Sequence, residues 1–350
     1  MAAFLSNTNA NPPIIKINRT RKIFRIRVSG NNNISISNKI TITSDIQSNI
    51  CIEDRIDCVQ MNILIAMPAY QGGVQTSTAK SIVELTTLLN INGIKSKWLT
   101  IDSESLITRG RNACIAYFLS AKEFTHILFI DADITFPVAA VLRLLDSNKD
   151  ITGIAYPKKG LSQKDIVQSV LQTVRWDHVD MAMKRGLSIP GIIDEQMKLI
   201  DDNQVFLRAT NYVMNPLPGP LAIENGWLKV AEIGTGFMMI KRKVIDDLVQ
   251  KHPEMKYHND LPTYNLYHPD MKDNFYLFFD CRVGQCMIDN VKSQRYLSED
   301  YAFCQLCRSI GYDIWLDTTQ TVAHTGNHIF VGNLLSTLSL RASDMDKYKK

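Results

Sequence analysis

Between Thr125 and Thr135 the chain reads Thr-His-Ile-Leu-Phe-Ile-Asp-Ala-Asp-Ile-Thr, an apolar run that ends abruptly in two acids and then meets Pro137. An apolar run without polar alternation is the signature of a strand covered on both faces, as in a parallel sheet with helices on either side. Alternate strand residues share a face, so Asp131 and Asp133 point the same way just where the strand gives out. Ligands of open α/β sheets bind at the carboxyl ends of strands. Two carboxylates facing such a cavity are costly unless a cation or water compensates them. This stretch therefore predicts both a fold class and a metal–phosphate type of site.

The residues around it supply the rest of an α/β alternation. Asn62 to Tyr70 reads as a buried strand broken at Pro68, followed by Gly72 and Gly73 and a helix over Thr76–Asn92 with Ile82, Leu85, Leu88 and Leu89 at helical spacing. Gly93 closes that helix. A second strand is expected over Lys97–Ile101, a second helix over Ser103–Lys122, a short helix over Val138–Leu145 and a further strand over Asp150–Tyr156. Strands and helices alternating at this spacing imply crossover connections and a mostly parallel sheet flanked by helices.

The later half is less regular. Helical segments are expected over Gln163–Lys184 and Asp194–Asp201, then a strand over Gln204–Met214. Lys229 to Ile240 reads as one strand interrupted by Gly234 and Gly236, and glycine inside a strand marks a bulge or a close approach. A helix over Lys243–Lys251, a short strand over Tyr276–Asp280, a helix over Tyr301–Ile310 capped by Ser298 and a last strand over Ile314–Leu316 complete the expectation. Trp227, just ahead of the glycine strand, is placed to stack on a ligand ring or to fill the core or its rim.

Residues 1–60 differ in character, being rich in Asn and Ile without helical periodicity. Phe24, Ile26 and Val28 alternate with Arg25 and Arg27, an Asn-rich turn follows, and Ile34, Ile36, Ile40 and Ile42 recur at even spacing, which predicts a β-hairpin after a disordered start. The organisation expected is an N-terminal extension over 1–60, a main domain over 61–335 and a tail over 336–350.

Composition excludes several classes. With 350 residues, 45% of them hydrophobic, the chain can bury a large core. No apolar run approaches the roughly 20 residues of a membrane helix, so no membrane span is expected. Met1 to Pro13 lacks a basic stretch followed by an apolar one, and seven cysteines in a chain of this size fit reduced thiols, so a cytoplasmic location is expected. Cys304 and Cys307 lack a second nearby pair and are expected in the core rather than on zinc. The net charge of +4 resides in residues 1–60, too small an excess to predict a nucleic-acid partner. Neither the dinucleotide G-x-G-x-x-G nor the G-x-x-x-x-G-K-S/T phosphate loop occurs, so phosphates must be held in another way. A divalent cation on paired carboxylates would do so.

Taken in order, six motifs resemble those of GT-A type glycosyltransferases, a Rossmann-like α/β fold that transfers a sugar from a nucleotide-sugar donor. Met67-Pro-Ala-Tyr70 resembles their loop beside the uracil, Arg109-Gly-Arg-Asn112 their R-x-R-N helix start, and Asp131-Ala-Asp133 their D-x-D motif. Gly234-Thr-Gly236 resembles the glycine strand beside the sugar, Ser298-Glu-Asp300 the E-D acceptor motif, and His324 the late metal-binding histidine, with His328 as its competitor. The pattern is most similar to small stand-alone glycosyltransferase domains encoded by large DNA viruses, over about residues 61–330; such a chain would act in the host cytoplasm.

The resemblance implies a UDP-sugar donor, a glycan or glycoprotein acceptor, and Mn²⁺ or Mg²⁺ held by Asp133 and His324, with Asp131 on the ribose or a water-mediated contact to the metal. It implies donor contacts from Pro68, Tyr70, Arg109, Arg111, Asn112, Gly234, Thr235 and Gly236. An inverting reaction needs a carboxylate base, for which Asp300 and Glu299 are the candidates. Two other readings compete. A nucleotidyltransferase would want a basic glycine loop after the first strand, and Gln71-Gly-Gly-Val74 has the glycines without Lys or Arg. A non-catalytic glycan- or nucleic-acid-binding protein on the same fold would have no use for the buried acids.

Overall fold

The computed structural model describes residues 16–19, 22–25, 61–174, 176–198, 200–288 and 291–347. The chain parts into two compact units, residues 1–60 and 61–350. In the first, β1 (Lys16–Arg19) and β2 (Lys22–Arg25) pair antiparallel. The hairpin expected from Phe24 to Ile42 lies, beyond Arg25, outside the described residues, as does the expected disordered start.

The second unit opens with β3 (Asn62–Ala69), α1 (Thr76–Ile91), β4 (Lys95–Asp102), α2 (Ile107–Ser120) and β5 (His126–Ile130). Then follow β6 (Ile134–Thr135), α3 (Val138–Asp146) and β7 (Ile151–Ile154). Four helices come next: α4 (Gln163–Thr173), α5 (Trp176–Lys184), α6 (Ile189–Met197) and α7 (Asp202–Ala209). The chain returns through β8 (Met214–Pro216), β9 (Ile223–Glu224), β10 (Trp227–Ile233), β11 (Phe237–Lys241) and α8 (Arg242–Lys251). A hairpin of β12 (Arg282–Ile288) and β13 (Val291–Leu297) precedes α9 (Glu299–Ser309) and β14 (Ile314–Asp317). The last elements are β15 (Val322–Thr325), β16 (Ile329–Gly332) and α10 (Leu334–Lys347).

Eight strands form a path in the order β4-β3-β5-β11-β7-β14-β10-β8, with β9 added on β10. The parallel ladders β3·β4, β3·β5 and β7·β14 and the antiparallel ones around β10 and β11 give seven strands running one way and two against them. The expected mostly parallel α/β sheet is thus present. Alternation along β3 shows why both faces are apolar: Ile63, Ile65 and Met67 pack with Ile82, Leu85 and Leu89 of α1 and Val141 of α3, whereas Leu64 and Ala66 share a core with α2, α8 and α9. Cys304 and Cys307 are buried in that second core as free thiols. Phe279 stacks on Phe303 with ring centroids 4.3 Å apart and meets Phe129 edge-on at 5.4 Å. Rings wholly removed from water contribute roughly 2–3 kcal/mol each. No helix among the described residues is long and apolar enough to cross a membrane.

Three expectations change. The segment read as an interrupted strand over Lys229–Ile240 is two strands in different parts of the sheet, because Gly234-Thr-Gly236 is the crossover between them: β10 lies between β14 and β8, β11 between β5 and β7. The strand expected over Gln204–Met214 is mostly helix α7. Asp201 caps it by accepting from the Asn203 amide at 3.0 Å, and Val205, Arg208 and Ala209 are buried at i, i+3 and i+4. Tyr276–Asp280 is not a strand but a buried irregular segment. Residues 336–347, within the expected tail, lie in α10, where Arg341 donates to the carbonyls of Arg208 and Thr210 and Thr337 bonds Tyr212.

Candidate active site

The strand β5 delivers Asp131 to a tight turn in which the Asp131 amide donates to the Gly236 carbonyl (2.9 Å) and the Ile134 amide returns to the Asp131 carbonyl (3.2 Å). The next two residues form β6, whose partner is β15, with Ile134 opposite His324. The Thr325 amide donates to the Asp133 carbonyl at 2.8 Å. This local sheet, built from segments about 190 residues apart, is what brings His324 to Asp133: His324 Nε2 lies 3.2 Å from Asp133 Oδ1. His324 Nδ1 donates to the Pro157 carbonyl at 2.8 Å, because a carbonyl oxygen can only accept. The imidazole is therefore oriented by the opposite nitrogen and presents Nε2 to the carboxylate. Lys159 forms an ion pair with the other oxygen, Asp133 Oδ2. Burial pushes the Asp133 carboxyl upward, but hydrogen bonds from His324 and Lys159 outweigh it and hold the group below the ordinary carboxylate range.

Behind this outer pair sits Arg111, whose side chain is 6% exposed. It forms an ion pair with Glu299 of α9 and lies 3.6 Å from Asp131. Burial opposes the charge on Arg111; Asp131, Glu299 and Asp300 outweigh burial and raise its affinity for the proton. Asp300 is buried, and its Oδ1 accepts from the Ser298 hydroxyl and from the Tyr301 amide (2.8 Å). So Ser298 binds the Asp300 carboxylate, and no side-chain cap hydrogen bond is made.

Tyr156, which follows β7, joins the two clusters. Its ring stands edge-on to His324 at 5.3 Å and its hydroxyl accepts from the Gly236 amide at 3.2 Å. A Cβ on Gly236 would lie 2.5 Å from Asp131 Oδ2 and 2.8 Å from Tyr156, and one on Gly234 would run into the same phenol and Val213. Both glycines are required so that Tyr156 and Asp131 can approach the backbone. Burial, then the charge of Asp131, push the Tyr156 phenol far above its ordinary value, so it stays neutral and donates or accepts as a hydroxyl.

The expected site residues thus fall into two sets. Arg111, Asp131, Asp133, Gly234, Gly236, Glu299, Asp300 and His324 are brought together by direct contacts or through Tyr156. The others lie elsewhere or have other partners. Both ends of the Asn112 amide are committed to the Phe279 backbone, at 2.8 and 2.9 Å, so Asn112 clamps the segment before β12. Arg109 makes two hydrogen bonds to Glu104, which Tyr264 also binds. Thr235 is wholly buried with its hydroxyl unpaired. Tyr70 is 64% exposed, and Pro68 packs near Gly110 at the start of α2. Trp227 is covered by Arg143 and Lys149 at 5.2 and 5.8 Å and belongs to the core. His328 is exposed against Phe330 and does not meet Asp133. Tyr156 and Lys159 were missed in the sequence; the only signal was a Tyr-Pro-Lys-Lys run ending a predicted strand.

The fit to a metal ion can be tested on these distances. A cation bonded at about 2.1 Å to a carboxylate oxygen and an imidazole nitrogen sets the two donor atoms roughly 3.0–3.4 Å apart. The observed 3.2 Å meets that condition. Among the described residues no group of three His, Cys, Asp or Glu gathers to hold an ion, and Asp131 faces Arg111 instead of joining the pair. An ion here would find two protein donors, one O from Asp133 and one N from His324. An imidazole donor would favour Mn²⁺ over Mg²⁺. A separate groove of about 400 Å³ lies on the α1 side of β6, lined by Lys80, Glu84, Thr135 and Val331, away from these acids.

No family profile matches the sequence, and no curated protein matches it. Among solved structures, the crystal structure of A197 from STIV superimposes with a TM-score of 0.37 and 13% identity, covering 78% of this chain and 95% of that one. Function has to be read from the residues themselves.

Proposed function

We propose that residues 61–335 form a metal-dependent glycosyltransferase of GT-A type, taking a sugar from a UDP-sugar and passing it, with inversion, to a hydroxyl of a glycan or glycoprotein. The observation that carries this is the convergence of four acids, one arginine and one histidine from separate segments at the carboxyl ends of β5 and β7, with Asp133 and His324 at metal-ligand separation. The loop after β3 favours glycosyl over nucleotidyl transfer. It has no basic residue, and it folds back through the Gln75 amide onto the Ala132 carbonyl at 2.9 Å, so it is not an open phosphate cradle.

Asp133 and His324 would hold Mn²⁺, or Mg²⁺ in its place; when bound, the ion supplies Lewis-acid stabilisation of the charge that develops on the departing diphosphate. The protein's own residues do the remainder. Asp131, held by Gly236 and turned toward Arg111, lies beside the donor rather than on the metal. Arg111 forms an ion pair with Glu299 Oε1, which commits that carboxylate to the guanidinium. Asp300 has Oδ1 occupied by Ser298 and Tyr301, and Oδ2 is left to take the proton of the attacking hydroxyl. Asp300 is therefore assigned as base and Glu299 as a positioning residue. The test is UDP release from a panel of UDP-sugars. Mn²⁺-dependent release from at least one donor is expected; silence with every donor and either metal, together with no metal-dependent UDP binding, would rule the assignment out.

A further inference from the structure

The cation that the structure sets against Asp133 Oδ2 is Lys159. Its place is built. The Lys158 amide donates to the Asn211 carbonyl (2.8 Å) and the Gly160 amide to the Lys158 carbonyl (2.9 Å), which pins the chain on either side of residue 159. The aliphatic stem then lies over Gly326, where a Cβ would come within 3.2 Å of Lys159 Cδ, 3.5 Å of Cγ and 3.7 Å of Cβ. Gly326 itself is held by donating its amide to the His328 carbonyl at 2.9 Å. The ammonium at the end of that stem pairs with Asp133 Oδ2 while His324 faces Oδ1, so both oxygens of the outer carboxylate have partners.

The charges explain what this accomplishes. Asp131, Asp133, Glu299 and Asp300 stand against Arg111 and Lys159, and even with His324 counted as a third cation the four acids leave a negative excess that would repel a diphosphate arriving alone. A metal bound to the free protein would relieve that excess, but it would have to share Asp133 with a tethered ammonium. A metal arriving on a nucleotide diphosphate brings anionic oxygens with it, to which the displaced ammonium can turn. Lys159 has the reach for this, since 39% of its side chain is exposed and no other acid among the described residues pairs with it.

We infer that Lys159 is a tethered counter-cation that excludes the divalent metal from Asp133 until the metal comes with its nucleotide. This rests on the reading of Asp133 and His324 as the metal pair. It follows that metal and nucleotide bind with positive coupling, and that the coupling is reciprocal.

The experiment measures Mn²⁺ affinity of the full chain by electron paramagnetic resonance, without nucleotide and with UDP, for wild type, Lys159→Met and Lys158→Met. The last variant removes the same charge from the same turn without touching Asp133. Without nucleotide, Lys159→Met is expected to bind Mn²⁺ about fivefold tighter than wild type, the scale of a partly exposed ion pair, and to show weaker coupling to UDP. Lys158→Met should stay within about twofold of wild type, as expected of an exposed charge that touches no ligand. Equal Mn²⁺ affinity in wild type and Lys159→Met, an equal gain in Lys158→Met, or no Mn²⁺ binding in any variant would overturn the inference. The contrast appearing in a chain that transfers no sugar would support the tethered cation and sink the transferase reading instead.

Discussion

The inner and outer halves of the candidate site are both built of acids and bases, yet they are built on opposite terms. Around Arg111 most of the charge is buried: its side chain is 6% exposed and that of Glu299 12%, Asp300 is buried, and only Asp131, at 27%, reaches outward. Around Asp133 the carboxylate is 27% exposed and its ammonium partner 39%. Removing one member of a buried pair leaves an uncompensated charge in a medium that solvates it poorly, whereas an exposed pair can exchange partners with water, ions or ligand at little cost. Within the inner cluster Arg111 and Glu299 are framework, whereas the outer pair is free to exchange partners.

The largest test of that contrast is Arg111→Met. It should destabilise the fold by about 3–5 kcal/mol, read as a lowered urea midpoint; a loss below about 1 kcal/mol would place Arg111 with the exchangeable charges and remove the distinction. Asp133→Asn is the mirror case. Metal-dependent turnover should fall about a hundredfold or more, while the urea midpoint moves by less than about 1 kcal/mol. A variant that unfolds instead would show the outer cluster to be structural.

Arg109 sharpens the comparison because it lies two residues from Arg111 on the same helix but at the rim. Its partner Glu104 has a side chain 6% exposed, with Arg109 at 37%. Burial pushes the Glu104 carboxyl upward, and hydrogen bonds from Arg109, Tyr264 and the Leu106 amide more than reverse this, lowering it from 4.5 to about 2. A carboxyl more acidic in the folded state stabilises the fold above its unfolded value, and that contribution is lost as the pH drops through the folded one. Glu104→Gln should therefore cost about 1–2 kcal/mol at pH 7, discounted for the exposed arginine, with the gap to wild type closing between pH 4.5 and 2. A gap that stays constant in urea titrations across that range would contradict the assignment. The smallest effect is expected of Tyr156→Phe, which removes one hydrogen bond to the Gly236 amide and should cost about 1 kcal/mol in thermal unfolding.

Much of the fold was legible where burial is continuous. The run before Asp131 and the one from Asn62 to Ala69 declare strands covered on both faces, and both are interior strands, neighbours in the sheet behind the edge strand β4. The acids were legible because a strand end is the one place where two carboxylates after an apolar run make chemical sense. What could not be read was pairing across the chain. Gly234 and Gly236 were legible as a close approach, but the group approaching is Tyr156, about 80 residues earlier. The break between β10 and β11 follows from the sheet positions the two strands occupy, which local periodicity does not encode. Asn112 resembled a ligand contact and is a backbone clamp on Phe279, because its helix face is turned inward against that segment. Lys159 was invisible for the same reason: its place depends on Gly326, far along the sequence.

The claim that the outer cluster receives a metal together with a nucleotide diphosphate is met most directly by calorimetric titration of UDP into the wild-type chain and Asp133→Asn, with and without Mn²⁺. Mn²⁺ should tighten UDP binding in the wild type by about tenfold or more, within the ordinary range of coupling between two ligands, and should make no difference in Asp133→Asn. UDP that binds the wild type equally well with and without Mn²⁺, or fails to bind at all, would contradict it.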